Sequence, residues 1–161
     1  MVYVDLDNTL LCTNFCIDLY NNHVPEIDPT SPLGYINFSD KAHETYYTEV
    51  ILNVLSWQFP CLNTIRYLIN QNMEFTILTT RLDDNMIKHN VRKLLGKHSN
   101  LLVDVIAKVT DKLQFLKNET DVIIDDDPKV ITVAPKIIVS VMPYNKHINT
   151  PNIIDRIYHF C

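Results

Sequence analysis

The sequence predicts an α/β fold built on a largely parallel sheet. Short runs of β-branched and aromatic residues alternate along the chain with longer stretches at helical spacing, the pattern of parallel strands joined by helices. Two of those runs, Val2–Val4 and residues 122–124, are each followed at once by clustered aspartates: Asp5 and Asp7 after the first, Asp125, Asp126 and Asp127 after the second. The length of 161 residues and the 47% hydrophobic content suit one domain, residues 1–161, with a full core and room for a small insertion.

Val2–Val4 has the composition of a buried strand. Residues 10–20 lead off it into a helix or loop. Residues 21–37 carry Pro25, Pro29, Pro32 and Gly34 and read as loop. Ser39 is placed to cap a helix running from Asp40 to about Trp57, where Tyr46, Tyr47, Val50, Ile51, Val54 and Leu55 fall near helical spacing. Residues 60–71 form a further helix with Leu62, Ile65, Leu68 and Ile69 on its apolar face, and Asn72 turns it into a strand over residues 74–78. Asp83 caps a helix to Leu95, its buried stripe made of Met86, Ile87, Val91, Leu94 and Leu95, and Gly96 stops it. Residues 101–107 are strand-like. Thr110 is placed to cap a helix carrying Lys112, Leu113 and Leu116. Residues 122–124 form a strand, and Pro128 suits a turn or helix start. Ile137–Val141 is a fifth strand, and Thr150 and Pro151 open a last helix with Ile153, Ile154, Ile157 and Tyr158 inward.

Net charge is −5 and the sequence pI about 5.6, which excludes a broad nucleic-acid footprint but not a single nucleotide or a phosphorylated end. Cys12, Cys16, Cys61 and Cys161 show no metal-ligand spacing. They are expected as free, mostly buried thiols of a reducing compartment; a pairing of Cys12 with Cys16, four apart, is the other reading. No basic-then-apolar leader and no membrane-length apolar run is present, so the expected location is cytoplasmic and soluble. There is no G-x-G-x-x-G, which disfavours a dinucleotide cofactor.

The acidic clusters carry the chemistry. An apolar strand cannot easily bury ionised Asp, so Asp5 and Asp7 belong where the strand ends, the edge at which open α/β sheets bind ligands. Carboxylates this close repel one another, and a hard cation is the usual way to keep both ionised. If the two Asp-tipped strands are neighbours, their carboxylates converge, and Mg²⁺, which takes oxygen ligands together with water and phosphate, is the expected ion. Either cluster alone would read equally well as a solvated loop or a Ca²⁺ site.

Asp5-Leu6-Asp7-Asn8-Thr9-Leu10 resembles the D-x-D-x-T/V-L signature of the haloacid-dehalogenase superfamily. Phe75-Thr76-Ile77-Leu78-Thr79-Thr80-Arg81 looks like its second motif, an apolar strand ending in Thr or Ser. Lys112 stands for the third-motif lysine, with Lys108 and Lys117 as rivals, and Ile123-Ile124-Asp125-Asp126 looks like the fourth motif. The resemblance implies a Rossmann-like sheet with the first strand in the middle. It also implies a small helical cap between the first and second motifs, here residues 13–60.

What the resemblance implies about activity is phosphate-ester hydrolysis. Asp5 would be the nucleophile that forms an aspartyl-phosphate, and Asp7 the acid and base toward leaving group and water. Thr79, with Thr80 as rival, would donate a hydrogen bond to the phosphate, and Lys112 would offset its charge. Mg²⁺ would be held by Asp5, the main-chain carbonyl of Asp7, and Asp126 with Asp125 near it. Thr9, Thr80, Arg81 and Phe15 are the substrate-side candidates, Arg81 either on a substrate phosphate or paired with Asp83. Phe15, Tyr46, Tyr47 or Trp57 would line the substrate side of the cap; packing onto the core is the other reading of these aromatics.

Residues 139–145 are similar to a segment found after the fourth motif in 5′(3′)-deoxyribonucleotidases, so the expected partner is a small phosphorylated substrate, a nucleoside monophosphate first. Thr13 stands where that branch carries a base-stacking aromatic, with Phe15 two residues on. The rival readings are a phosphoprotein phosphatase of the polymerase-tail type, a polynucleotide 3′-phosphatase, and an interaction module without catalysis. No membrane partner is expected, and oligomeric state is left open, a homodimer included.

Overall fold

The structure is a computed structural model that describes residues 1–20, 25–32 and 38–159. Its centre is a six-stranded sheet in the order β3-β2-β1-β4-β5-β6, every neighbouring pair parallel. The strands are β1 Val2–Val4, β2 Phe75–Leu78, β3 Leu102–Ile106, β4 Val122–Asp125, β5 Ile137–Val141 and β6 Ile153–Tyr158. β1 lies inside the sheet, Val4 registered with Ile77 of β2 on one side and with Ile124 of β4 on the other. Val4, Ile77 and Ile124 are fully buried, as parallel strands covered by helices on both faces must be.

α1 (Thr13–Leu19), α2 (Lys41–Thr45), α3 (Leu62–Asn70), α4 (Asp84–Leu95) and α5 (Pro128–Val133) complete the layers. One apolar cluster joins Val4, Leu68, Phe75, Ile87 and Val91; a second joins Ile123, Ile131, Ile137 and Val139. The segment between β1 and α3 has a small core of its own, Cys16, Ile17, Ile27 and Ile51, with Tyr46, Tyr47, Leu55 and Phe59 packed against it. No helix among the described residues is long and apolar enough to cross a membrane.

Four local expectations are corrected. The last segment is the edge strand β6, not a helix: Ile153, Ile154 and Ile157 are β-branched, the run is six residues long, and β5 needs a partner for its outer edge. The helix expected from Asp40 to Trp57 is capped by Asp40, which accepts from Ala42 N at 2.8 Å, and is not continuous. It widens after Thr45 into a π-helical stretch, Tyr46–Leu52, breaks at Asn53, and resumes as a 3₁₀ turn, Leu55–Gln58. Asp111 rather than Thr110 caps the short 3₁₀ turn Lys112–Phe115, accepting from Leu113 N at 3.1 Å. Cys16 and Cys61 are free and buried, whereas Cys12 is disulfide-bonded; the 3.1 Å between the Cys12 and Cys61 sulfurs is a non-bonded contact. Spacing along a chain does not show which sulfurs meet across the fold. The loop expected over residues 21–37 lies partly outside the described residues; within it, Asp28 organises a turn by accepting from Thr30 N and from the Thr30 and Ser31 hydroxyls.

Candidate active site

β1 and β4 run side by side in register, and the Asp5 N–H donates to the Ile124 carbonyl at 2.9 Å. The next residue on each strand is an aspartate, so Asp5 and Asp125 leave the sheet together at its carboxyl edge. Lys112, reached by the crossover after β3, places Nζ 2.6 Å from Asp5 Oδ1 and 2.7 Å from Asp125 Oδ2. Thr9 Oγ1 lies 3.4 Å from both Asp5 Oδ2 and Asp126 Oδ1. The Asp127 N–H donates to Asp125 Oδ1 at 2.9 Å, and the Tyr144 hydroxyl donates to Asp126 Oδ2.

One ammonium does not balance three buried carboxylates. The Asp5 pKa is raised to about 7: burial is the largest cause and Asp125 and Asp7 add to it, against the downward pull of Lys112. Burial also drives Asp126 well above the ordinary carboxylate range, with Asp5 and Asp125 adding to it. Burial works against the Lys112 charge, yet Asp125 and Asp5 outweigh it and raise that pKa. Asp5, Asp125 and Asp126 offer carboxylate oxygens that all lie within 4.8 Å of one another, all three residues buried. An all-oxygen, over-acidic set of this kind fits a hard divalent cation.

After Asp5 the chain leaves β geometry. The Leu6 carbonyl accepts from Leu10 N at 2.9 Å and Leu11 N at 3.0 Å, and Asn8 takes φ 59°, a left-handed conformation that asparagine tolerates. Asn8 is held there by Asn14, whose backbone N–H donates to Asn8 Oδ1 at 2.8 Å. This turn separates the Asp7 carboxylate from Asp5 and delivers it to Arg81. Arg81 Nε donates to Asp7 Oδ2 at 3.1 Å, Nη2 donates to Oδ1 at 2.5 Å, and Thr13 Oγ1 adds a bond to Oδ1 at 2.6 Å. Burial alone would raise the Asp7 pKa, but Arg81 and then Thr13 outweigh it and hold the carboxyl below its usual range.

A cavity of about 870 Å³ opens over these groups. Asp5, Asp7, Asp126 and Lys112 line it from the sheet edge, Thr80 from the β2–α4 connection, Met86 from the first turn of α4, and Phe38, Tyr47, Thr48 and Leu52 from the segment before α3.

The sequence-predicted residues divide accordingly. Asp5, Lys112, Asp125 and Asp126 come together, and Asp7 lies on the same cavity by way of Arg81. Lys108 lines the cavity as an exposed residue, and Lys117 is also exposed; Lys112 is the lysine on Asp5. Thr80 is exposed and lines the cavity, whereas Thr79 is 1% exposed, does not line it, and accepts from Arg81 N at 3.2 Å. Thr9 is fully buried against the carboxylates rather than facing the cavity. Arg81 pairs with Asp7 and not with Asp83, whose carboxylate caps α4 through Met86 N. Phe15 packs edge-on against Phe59 with ring centroids 5.5 Å apart; of the four cap aromatics singled out in the sequence, only Tyr47 lines the cavity.

Residues that sequence reasoning missed include Phe38 in the cavity wall, Thr13 on Asp7, and Tyr144 and Asn145 behind Asp126. Asn145 is fully buried and its Nδ2 donates to the Asp126 carbonyl at 2.8 Å and the Ser140 carbonyl at 2.9 Å. The available signal was the Met142-Pro143-Tyr144-Asn145 stretch, a turn with polar residues directly after the buried strand Ile137–Val141. The chain matches no family model and no curated protein, so the functional reading rests on these residues and their geometry.

Proposed function

We propose that this chain is a phosphatase of the haloacid-dehalogenase type that hydrolyses phosphate monoesters through an aspartyl-phosphate on Asp5. The observation that carries it is the convergence of Asp5, Lys112, Asp125 and Asp126 at the carboxyl edge of β1 and β4, with Asp7 on the same cavity. A lone ion pair between Lys112 and Asp125 would not need Asp5 and Asp126 buried beside it, both with pKa values pushed up.

In the first step an Asp5 carboxylate oxygen forms a bond to phosphorus as the bond to the leaving oxygen breaks, and the leaving alkoxide takes a proton by way of Asp7, which is ionised at rest and first receives that proton from the phosphate monoanion of the substrate. In the second, water attacks phosphorus, Asp7 takes its proton, and the Asp5–phosphorus bond breaks. Lys112 sets its charge against the phosphoryl oxygens throughout. Asp5, the Asp7 carbonyl and Asp126, with Asp125 alongside, would hold a Mg²⁺ ion, which would supply further positive charge at the phosphate. Arg81 and Thr13 hold Asp7 as the carboxylate, the form the water step uses.

A small substrate is favoured by the wall that Phe38, Tyr47 and Leu52 put across the cavity, and the aromatic pair suits a nucleobase. The test is a panel of deoxynucleoside monophosphates, phosphopeptides, a 3′-phosphorylated oligonucleotide and p-nitrophenyl phosphate, each with Mg²⁺ and with EDTA. The expected result is hydrolysis with Mg²⁺ only, and the highest kcat/KM on a nucleoside monophosphate. No turnover of any ester with Mg²⁺ would overturn the reading; a phosphopeptide preference would redirect its substrate class.

A further inference from the structure

We propose that Arg81 is a positioning residue that couples the seating of residues 46–58 over the cavity to the aim of the Asp7 carboxylate; the part given to Asp7 rests on the phosphatase reading. Arg81 reaches both from one planar group. Its Nε and Nη2 take the two Asp7 oxygens at 3.1 Å and 2.5 Å. Its Nη1 donates to the Leu52 carbonyl at 2.6 Å and to Ser56 Oγ at 3.2 Å, and Nη2 also reaches Ser56 Oγ at 3.2 Å. The guanidinium carbon lies 5.6 Å from the centre of the Trp57 ring, and the side chain is only 4% exposed.

The Leu52 carbonyl closes the π-helical stretch, and Ser56 Oγ donates to the same oxygen at 2.7 Å, so the break in the helix is built around it. π-helical turns are rare and frequently occur at functional positions. Tyr47, Thr48 and Leu52 of this segment line the cavity, so its seating sets the volume left for substrate. A guanidinium is a rigid fork and cannot turn one edge without the other. Lifting the segment strips Nη1 of both acceptors in a buried place, and removing the Asp7 charge removes the anchor that holds the fork against the segment. Among the described residues Asp7 makes no hydrogen bond to residues 46–58, so Arg81 is the direct hydrogen-bonded link between the two; the other route is indirect, through Thr13 on Asp7 and the packing of Cys16 and Ile17 of α1 against Ile51.

Two measurements on the full chain test this. The first is amide hydrogen exchange in Asp7→Asn without added substrate. Coupling raises exchange across residues 46–58 about tenfold or more, read against the amides of β2 and β4 in the same variant. Exchange within twofold of the unsubstituted protein overturns the proposal, because an Arg81 that only braces the segment would not register a change at Asp7. The second is turnover of Ser56→Ala, a residue that does not line the cavity. The ratio of kcat for an alkyl phosphate to kcat for p-nitrophenyl phosphate is expected to fall about tenfold, since only the alkyl ester needs a well-aimed Asp7. Equal losses on both esters would mean that the segment is merely loosened, and would overturn it. If no ester is hydrolysed by the unsubstituted protein, the phosphatase reading fails by itself and the exchange measurement still decides the coupling.

Discussion

Lys112 Nζ lies 2.6 Å from Asp5 Oδ1, across 107 residues of sequence. The lysine side chain is 12% exposed and the aspartate's 9%, and the same nitrogen also serves Asp125. This pair joins the proposed nucleophile to the charge that would receive the phosphoryl oxygens.

Lys112→Met should therefore lose both activity and stability. Removing a preorganised cation from the site of developing charge is expected to lower kcat by about a hundredfold or more. Asp5 and Asp125 would be left buried without their cation, an arrangement that typically costs about 3–5 kcal/mol when one partner of a buried pair is removed. Urea unfolding of the metal-free protein at pH 7 measures the second effect. A variant as stable as the parent would show that the pair is less dehydrated than its burial indicates.

Asp7→Asn should slow substrates unequally. An alkyl phosphate needs a proton on its leaving oxygen and is expected to lose about a thousandfold, roughly 4 kcal/mol of barrier. p-Nitrophenyl phosphate leaves readily without that proton, so its first step should slow far less. The second step still lacks its base, and rapid quench should show a burst of nitrophenolate followed by a slow steady state. Equal slowing without a burst would refute the acid and base roles.

Tyr47→Leu and Phe15→Leu separate two of the candidate base-stacking aromatics. Tyr47 lines the cavity and Phe15 packs on Phe59 outside its lining. Tyr47→Leu is expected to lower kcat/KM for a nucleoside monophosphate about tenfold or more, the scale of a base–aromatic stack, with little change for p-nitrophenyl phosphate. Phe15→Leu should leave both within about twofold. The opposite ranking would place the base on the Phe15 side.

His159 should impose a pH dependence on stability. Ser140 Oγ donates its one hydrogen to the Asn8 carbonyl at 2.6 Å, so at 2.7 Å it accepts from His159 Nε2–H. His159 Nδ1 is buried with no hydrogen-bond partner among the described residues, and burial lowers the pKa to about 4 from an ordinary value of 6.5. Between those values the unfolded chain binds the proton and the folded chain does not, so stability falls as pH falls through that window. The loss from this one group is about 2 kcal/mol between pH 7 and pH 5. Denaturant midpoints of the parent and His159→Gln across that range measure it; parallel curves would show that His159 is not the source.

Alternation and composition along the chain were enough for the α/β class, five of the six strands, the capping of α4 by Asp83, and the gathering of aspartates at strand ends. These follow from local physics: a β-branched run must be buried, and an ionised carboxylate directly after it must emerge at the edge of the sheet. Two such strands then bring Asp5 and Asp125 together as soon as they are neighbours. The tertiary structure alone decided the rest. It paired Arg81 with Asp7 across 74 residues instead of Asp83 two residues away, and chose Lys112 over Lys108. It also turned Thr79 inward, set Phe15 outside the cavity lining, and made residues 153–158 a strand because β5 had an open edge. Each of those outcomes depends on which surfaces meet once helices and sheet are packed. A six-residue run such as Ile153–Tyr158 or a lone arginine carries no local preference strong enough to determine its partner in advance.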